Sequence, residues 1–392
     1  MTATDEWVRG GPRETGAAPP EAFTRALAPF AAELAELRPE GAELCDIHTH
    51  LGADEDGRSL TLDALLEGLD QGGVRRACVF PLHDPDRHPA YRVPNDRVLG
   101  WAGESEGRLS PFCRLDPNED PVAEGERCLA AGAEGIKLHP RAQAFAFDVP
   151  EMDAIFGLAE DAQAPLLIHM GRGMPPVADG LVALAERHPR VRLVLAHAGV
   201  ADQGVLCARL RDHPGIFYDT SVWSAIDLLE LFARTSPDRI AFGSDPPYGR
   251  TFAGLYLALR TVRAVGGSPE DAAAVAGGAA AALLARGELP PPRPPLGEKV
   301  RPRHGTLQRI SGYGMQAFGS LFVERFDLAA EMLGLAVAAT RDPEPGSDEV
   351  AETLARLGES LRASAELMRD PDTGFFGAGL LHLSLTLAGT TA

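Results

Sequence analysis

Between Glu43 and about Gly287, short runs of Val, Ile, Leu and Phe alternate with longer amphipathic stretches. The short runs are rich in branched residues and too brief for helices, so they read as strands. They lie at Glu43–His48, Ala77–Leu82, Leu109–Arg114, Gly135–His139, Pro165–His169, Arg192–His197, Ile216–Thr220 and Ile240–Ser244. Helical periodicity falls between them at Leu60–Asp70, Val122–Ala131, Met152–Ala162, Leu181–His188, Val205–Arg211 and Ala225–Ala233. Roughly eight β–α units in about 240 residues predict an α/β fold, a (β/α)8 TIM barrel, whose sites form at the C-terminal ends of the strands. A doubly wound open sheet would carry a Gly-x-Gly-x-x-Gly turn after its first strand. This chain has His48-Thr49-His50 there instead.

The pattern changes on both sides of that region. Residues 1 to about 19 are rich in Gly, Pro and Thr and are expected to be loose. Glu21–Leu37 places Phe23, Leu27, Phe30, Leu34 and Leu37 at helical steps, with Pro29 inside as a point of kinking or splitting. Glu288–Pro295 is proline-rich and predicts an extended linker. Beyond it Gly314–Thr340 and Ser347–Arg369 read as two helices, and Phe375–Leu387 as a third. Ser347 is the N-cap of the second, and Val350, Leu354, Leu357 and Leu361 form one apolar stripe, expected against the barrel or across a dimer interface. The expected organisation is a flexible N-terminus and leader helix (1–42), a barrel (43–289), a linker (290–300) and a C-terminal helical extension (301–392), the extension serving packing or homodimer formation.

Composition narrows the function. The chain of 392 residues is 45% hydrophobic and 24% charged, ordinary for a globular protein. A net charge of -19 argues against a nucleic-acid partner. Five scattered cysteines without a Cys-x-x-Cys pair fit a reducing compartment. No secretory pattern and no long apolar run appears. A cytoplasmic protein without membrane contact is expected.

Candidate chemistry sits on the strand plan. His48 and His50 end the first predicted strand, and alternation puts both on one face with Asp46. Lys137 and His139 end the fourth strand, His169 the fifth, His197 the sixth and Asp245 the eighth. All follow apolar runs, so all should face one barrel mouth. Each alone is as well explained by a hydrogen-bonded histidine or a helix cap. Several buried together are costly unless a cation neutralises them. Three imidazoles and a carboxylate suit one divalent metal, zinc first, with manganese or iron as alternatives.

The segments Asp46-Ile-His-Thr-His-Leu-Gly, Gly135-Ile-Lys-Leu-His-Pro, the histidine at 169, His197-Ala-Gly, Tyr218-Asp-Thr-Ser and Gly243-Ser-Asp-Pro, in that order, resemble the amidohydrolase superfamily. They are most similar to the branch that holds the aminocarboxymuconate semialdehyde decarboxylase-like enzymes. The resemblance spans about residues 43–287. It implies that His48, His50, His169 and Asp245 bind the metal and that His197 stands beside the metal-bound water as acid and base. Lys137 falls where other branches carry a carboxylated lysine bridging two metals. The mononuclear habit of this branch implies a substrate contact instead.

Two reaction classes stay open. A metal that acidifies its water, with Asp245 and His197 to move protons, predicts hydrolysis of an amide, ester or lactone of a small molecule. The alternative is non-oxidative decarboxylation of a small unsaturated or aromatic acid, which needs its carboxylate held. Arg114, Arg172 and Arg250 are candidate holders, Trp223 a candidate aromatic wall, and His83 a further candidate for the pocket. A third reading is a non-catalytic barrel acting through its helical tail, against which the intact ligand set argues.

Overall fold

The computed structural model describes residues 19–297, 304–341, 343–370 and 372–391. The segment expected to be loose lies outside these residues except for Pro19, as do residues 298–300 of the expected linker.

Nine strands form one sheet in the order β2-β1-β3-β4-β5-β6-β7-β8-β9. They are β1 Cys45–Ala53, β2 Ser59–Leu60, β3 Arg76–Pro81, β4 Leu109–Arg114, β5 Gly135–Leu138, β6 Leu166–Ile168, β7 Leu193–Leu195, β8 Ile216–Asp219 and β9 Ile240–Ala241. β2 pairs antiparallel with the end of β1, and every other pairing is parallel. The last strand returns to the first: Ile47 N donates to Phe242 O at 2.8 Å and Asp245 N to His48 O at 2.8 Å. The sheet is therefore a closed barrel, as the β–α alternation predicted. Ile47, Phe80, Phe112, Leu167, Val194 and Phe217 fill its interior.

Among the described residues nine longer helices run around the barrel. They are α1 Glu21–Leu37, which precedes it, and then α2 Leu62–Gly72, α3 Arg92–Glu104, α4 Pro121–Ala130, α5 Pro150–Asp161, α6 Ala178–Arg187, α7 Gln203–Arg209 and α8 Ala225–Arg234; α9 Thr251–Ala264 follows β9. Pro29 neither splits nor ends α1. The barrel floor is closed by Pro269–Ala273, a π turn at Ala274–Gly278 and Ala279–Leu284. A Cβ on Gly277 would lie 2.0 Å from Glu43 O, so only glycine lets this turn dock under β1.

Among the described residues the C-terminal extension holds four helices: α10 Gly305–Phe322, α11 Phe326–Ala339, α12 Asp348–Leu367 and α13 Gly374–Thr390. The single helix expected over Gly314–Thr340 is two. The chain reverses at Val323–Arg325, where Glu324 takes a left-handed φ of 58°, and α10 and α11 then pack on each other. Ser347 caps α12 as expected, its side chain accepting from Val350 N at 3.3 Å. Val350, Leu354, Leu357 and Leu361 are all buried. Their helix packs on α13, α11 and α1, so this stripe is covered within the chain. Each such leucine contributes about 1.5–3 kcal/mol by leaving water. α13 in turn packs on α9, α8 and α1.

α1 is fastened by charge as well. Glu33 accepts from Arg260 and Arg263 of α9, from Arg356 Nη1 at 2.7 Å and from Tyr256 Oη at 2.8 Å. Among the described residues no helix is long and apolar enough to cross a membrane.

Candidate metal centre

The ends of β1, β5, β6, β7, β8 and the segment after β9 converge at one mouth. Pairing between β1 and β3 is irregular between Asp46 and Thr49. Such a bulge re-aims the side chains that follow it. Simple alternation put Asp46 on the histidine face, but its carboxylate is taken by the backbone: Oδ1 accepts from His48 N and from Ser244 N, each at 3.0 Å. Asp46 thus ties the first strand to the last. Its burial raises its pKa to about 7 in spite of these bonds. Gly243 makes the same seam possible, since a Cβ there would lie 3.0 Å from His48 Cβ.

His48, His197 and Asp245 are all buried, and one ligand atom from each lies within 4.8 Å of the others. Asp245 Oδ1 is 3.2 Å from His48 Nε2 and 3.1 Å from His50 Nε2. His197 Nε2 is 2.9 Å from His169 Nδ1, and His139 stacks on His169 with ring centroids 3.7 Å apart. Five predicted histidines and the carboxylate are therefore one contiguous cluster. Within it His197, expected as acid and base, lies nearer to His48 and Asp245 than His169, expected as ligand, does. Asp245 and His197 both hold left-handed backbones, φ 58° and 55°. Non-glycine residues adopt that conformation at a cost and only where the surroundings impose it.

Asp219, at the end of β8, organises the cluster from beneath. It is fully buried. Its Oδ2 accepts from His48 Nδ1 at 2.7 Å, and its Oδ1 from His197 N at 2.7 Å and Ser221 N at 3.0 Å. Burial alone would raise its pKa, but His48 and the other donors hold it at about 2. A histidine that gives one ring nitrogen to a buried carboxylate offers the other, in a fixed tautomer, to a metal. The sequence signal was present in Tyr218-Asp-Thr-Ser, an acid closing an apolar run, but no role followed from it.

The donor set fits a divalent cation. With Nδ1–H given to Asp219, neutral His48 points its Nε2 lone pair at the carboxylate of Asp245. His50 Nε2 lies 3.1 Å from the same oxygen. Burial and Lys137 push the pKa of His48 down, yet Asp245 and Asp219 reverse this and draw it up; the carboxylates demand positive charge at this point. His50 Nδ1 and His169 Nε2 are buried with no hydrogen-bond partner among the described residues. Burial drives His50 to about 3 and holds His169 and His139 well below the usual imidazole range, so these rings are neutral donors of lone pairs.

Lys137 is buried, its Nζ 3.4 Å from His48 Nε2 and 4.5 Å from the Phe80 ring centroid. Burial pushes it down to about 7. Arg114 is its register partner on β4. That guanidinium is also buried, donates to Pro81 O at 3.3 Å, and leaves Nε without a partner among the described residues. His83 sits beside it, Nδ1 3.4 Å from Arg114 Nη2.

Three predicted substrate residues lie elsewhere. Arg172 is exposed and pairs with Asp227 at 2.5 Å, held outward by the first turn of α8. It does not reach the cluster. Trp223 stacks on Phe322 of α10, and Arg250 donates to Phe375 O at 2.7 Å. Both line a separate pocket beside the cluster, walled by the C-terminal helices.

Comparison with known proteins bears on the same region. The apo form of Metarhizium anisopliae IDCase superposes with a TM-score of 0.50 at 16% identity, covering 64% of this chain and 99% of that one. 2,6-Dihydroxybenzoate decarboxylase from Rhizobium gives 0.49 at 17% identity, covering 62% and 98%. No curated protein matches. Residues 45–286 match the family model described as amidohydrolase, a stretch that runs from the first residue of β1 to just past the helix closing the barrel floor. The chain is thus an enzyme that belongs to the amidohydrolase family.

Proposed function

We propose that the enzyme is a metal-dependent hydrolase that cleaves an amide, ester or lactone bond in a small acidic molecule. His48, His50, His169 and Asp245 would hold one divalent ion, zinc first, with manganese or iron as alternatives. Such an ion polarises a carbonyl and lowers the pKa of water. The observation that carries the reading is the tautomer of His197. Its Nδ1–H donates to Ser221 O at 2.7 Å, which leaves Nε2 as a proton acceptor facing the cluster. A neutral base next to a carboxylate suits the activation of water. His197 takes the proton of the attacking water and returns it to the leaving group. Asp219 keeps the ring pair oriented through His48 Nδ1 and His197 N. Lys137 and Arg114, side by side and buried, would orient a substrate carboxylate.

That same cation pair favours decarboxylation as a second reading, because it lies at the centre rather than at the rim. Reaction of the metal-loaded enzyme with aryl acids, lactones and amides in 18O-water separates the two. Hydrolysis puts one 18O in the product acid; decarboxylation releases carbon dioxide and takes a solvent proton on carbon. Turnover of neither kind, with metal bound, would sink both.

A further inference from the structure

His48 and His50 both stand on β1, yet they are held by different means. His48 gives its Nδ1–H to the buried carboxylate of Asp219 at 2.7 Å. A metal-ligating histidine is ordinarily steered in that way, by a hydrogen bond on the ring nitrogen that faces away from the ion. His50 has no such bond. Its Nε2 lies 3.1 Å from Asp245 Oδ1, and its Nδ1 is buried without a hydrogen-bond partner among the described residues. Aromatic rings surround it instead. Phe80 meets it edge to face with centroids 4.5 Å apart at 80°, and Tyr248 does so with centroids 5.9 Å apart at 82°.

Phe80 is fixed because it is fully buried in the barrel interior. Tyr248 arrives by a tight turn after β9. Gly249 N donates to Asp245 O at 2.7 Å, and His50 N to Pro246 O at 3.1 Å. A Cβ on Gly249 would lie 2.0 Å from Ser244 O, so only glycine closes this turn. The phenol is then anchored at its far end: its hydroxyl donates to Asp54 Oδ2 at 2.7 Å. Asp54 belongs to the loop between β1 and β2, where its N donates to Arg58 O at 2.7 Å and its O accepts from Gly57 N at 3.0 Å. The same Oδ2 accepts from His83 N at 3.3 Å, on the segment after β3. One carboxylate thus joins three of the segments that rim the mouth.

We propose that Tyr248 and Asp54 are positioning residues of the metal centre. Asp54 holds Tyr248 against His50, and the rings of Phe80 and Tyr248 set the orientation of that imidazole where no hydrogen bond does. This rests on the reading of His50 as a metal ligand. It adds that the loop between β1 and β2, which supplies no ligand, governs how firmly the ion is held.

The test is a double-mutant cycle on the full-length protein, read by zinc affinity in competition with a chelator and by the visible spectrum of the cobalt-loaded protein. Tyr248→Leu removes one aromatic wall and should weaken zinc about tenfold and shift the cobalt bands. Tyr248→Phe keeps the ring without its anchor, and Asp54→Ala removes the acceptor; each should weaken zinc about threefold. The two together should cost no more than either alone, because both break one link. Asp54→Asn still accepts from the phenol and should restore the wild-type value. Tyr248→Phe carries the test if Tyr248→Leu does not fold. Unchanged zinc affinity and cobalt bands in both Tyr248 variants, or losses that multiply in the double variant, would overturn the proposal. Crystals of the metal-free proteins separate it from the reading it rests on. His50 should keep one rotamer in wild type and take a second in Tyr248→Leu; one rotamer in both would overturn the proposal. Wild type that binds no metal, with that rotamer change intact, would sink the reading of the centre instead.

Discussion

Two buried polar clusters in this molecule do opposite things with charge. Around Glu33 one carboxylate is surrounded by donors: three arginines from α9 and α12 and the Tyr256 hydroxyl. At the barrel mouth one carboxylate, Asp245, lies within 3.2 Å of two imidazole nitrogens, and His50 Nδ1 and His169 Nε2 beside it have no hydrogen-bond partner among the described residues. The first arrangement satisfies its carboxylate and clamps α1 to the barrel and the extension, with Arg356 Nε and Nη2 left without a partner among the described residues. The second is incomplete as protein alone and calls for a cation. A buried charge is informative about function when its neighbours fail to satisfy it.

The largest effect is expected at His197. His197→Ala should lower turnover about a thousandfold, the scale of a lost acid–base group, while His169→Ala should lose the metal itself. Elemental analysis beside initial rates checks this, and metal loss in the His197 variant instead would exchange the two roles. Glu33→Ala leaves three guanidiniums without their anion and should destabilise the fold by about 3 kcal/mol, read as a drop in melting temperature with metal content unchanged.

Acid stability sharpens the contrast next. Burial, with Arg250 nearby, lowers His382 from 6.5 to about 4. Between these values the unfolded chain binds a proton that the folded one does not. Its contribution is therefore complete above pH 6.5 and is lost as pH falls towards 4, at most about 3 kcal/mol. Denaturation at pH 7 and pH 4.5 should show a smaller loss in His382→Gln than in wild type. A smaller effect is expected at Asp219→Asn. It leaves every proposed ligand in place, and metal affinity should fall about 10- to 100-fold, measured by competition with a chelator. Unchanged affinity would remove Asp219 from the account.

Much of this was legible in the sequence because barrel strands are short, apolar and regularly spaced. All eight predicted strands occur, with ends shifted by a few residues. The two missed barrel helices have physical reasons. In α9 nearly every residue is buried, so no polar face marks its period. In α3 the sequence is polar overall, and Pro94 falls in its first turn. β2 is two residues long and below any pattern. The reversal at Val323–Arg325 contains neither Gly nor Pro, so nothing local announced it.

The strand-end histidines could be found because each closes an apolar run. What tertiary structure alone supplied were the long-range partners. Glu33 meets Arg356 across more than three hundred residues. His382 reaches the barrel mouth only because α13 packs on α8 and α9. Arg172 looked like Arg114 in sequence, and only the position of Asp227 turned it to solvent.

The central claim is that the imidazole and carboxylate cluster is built around a divalent ion. Metal content of the purified protein, by elemental analysis beside Asp245→Ala and Glu33→Ala, tests it most directly. About one equivalent is expected in wild type and in the Glu33 variant and none in the Asp245 variant. No metal in wild type after reconstitution with zinc and manganese, or equal metal in all three proteins, would contradict it.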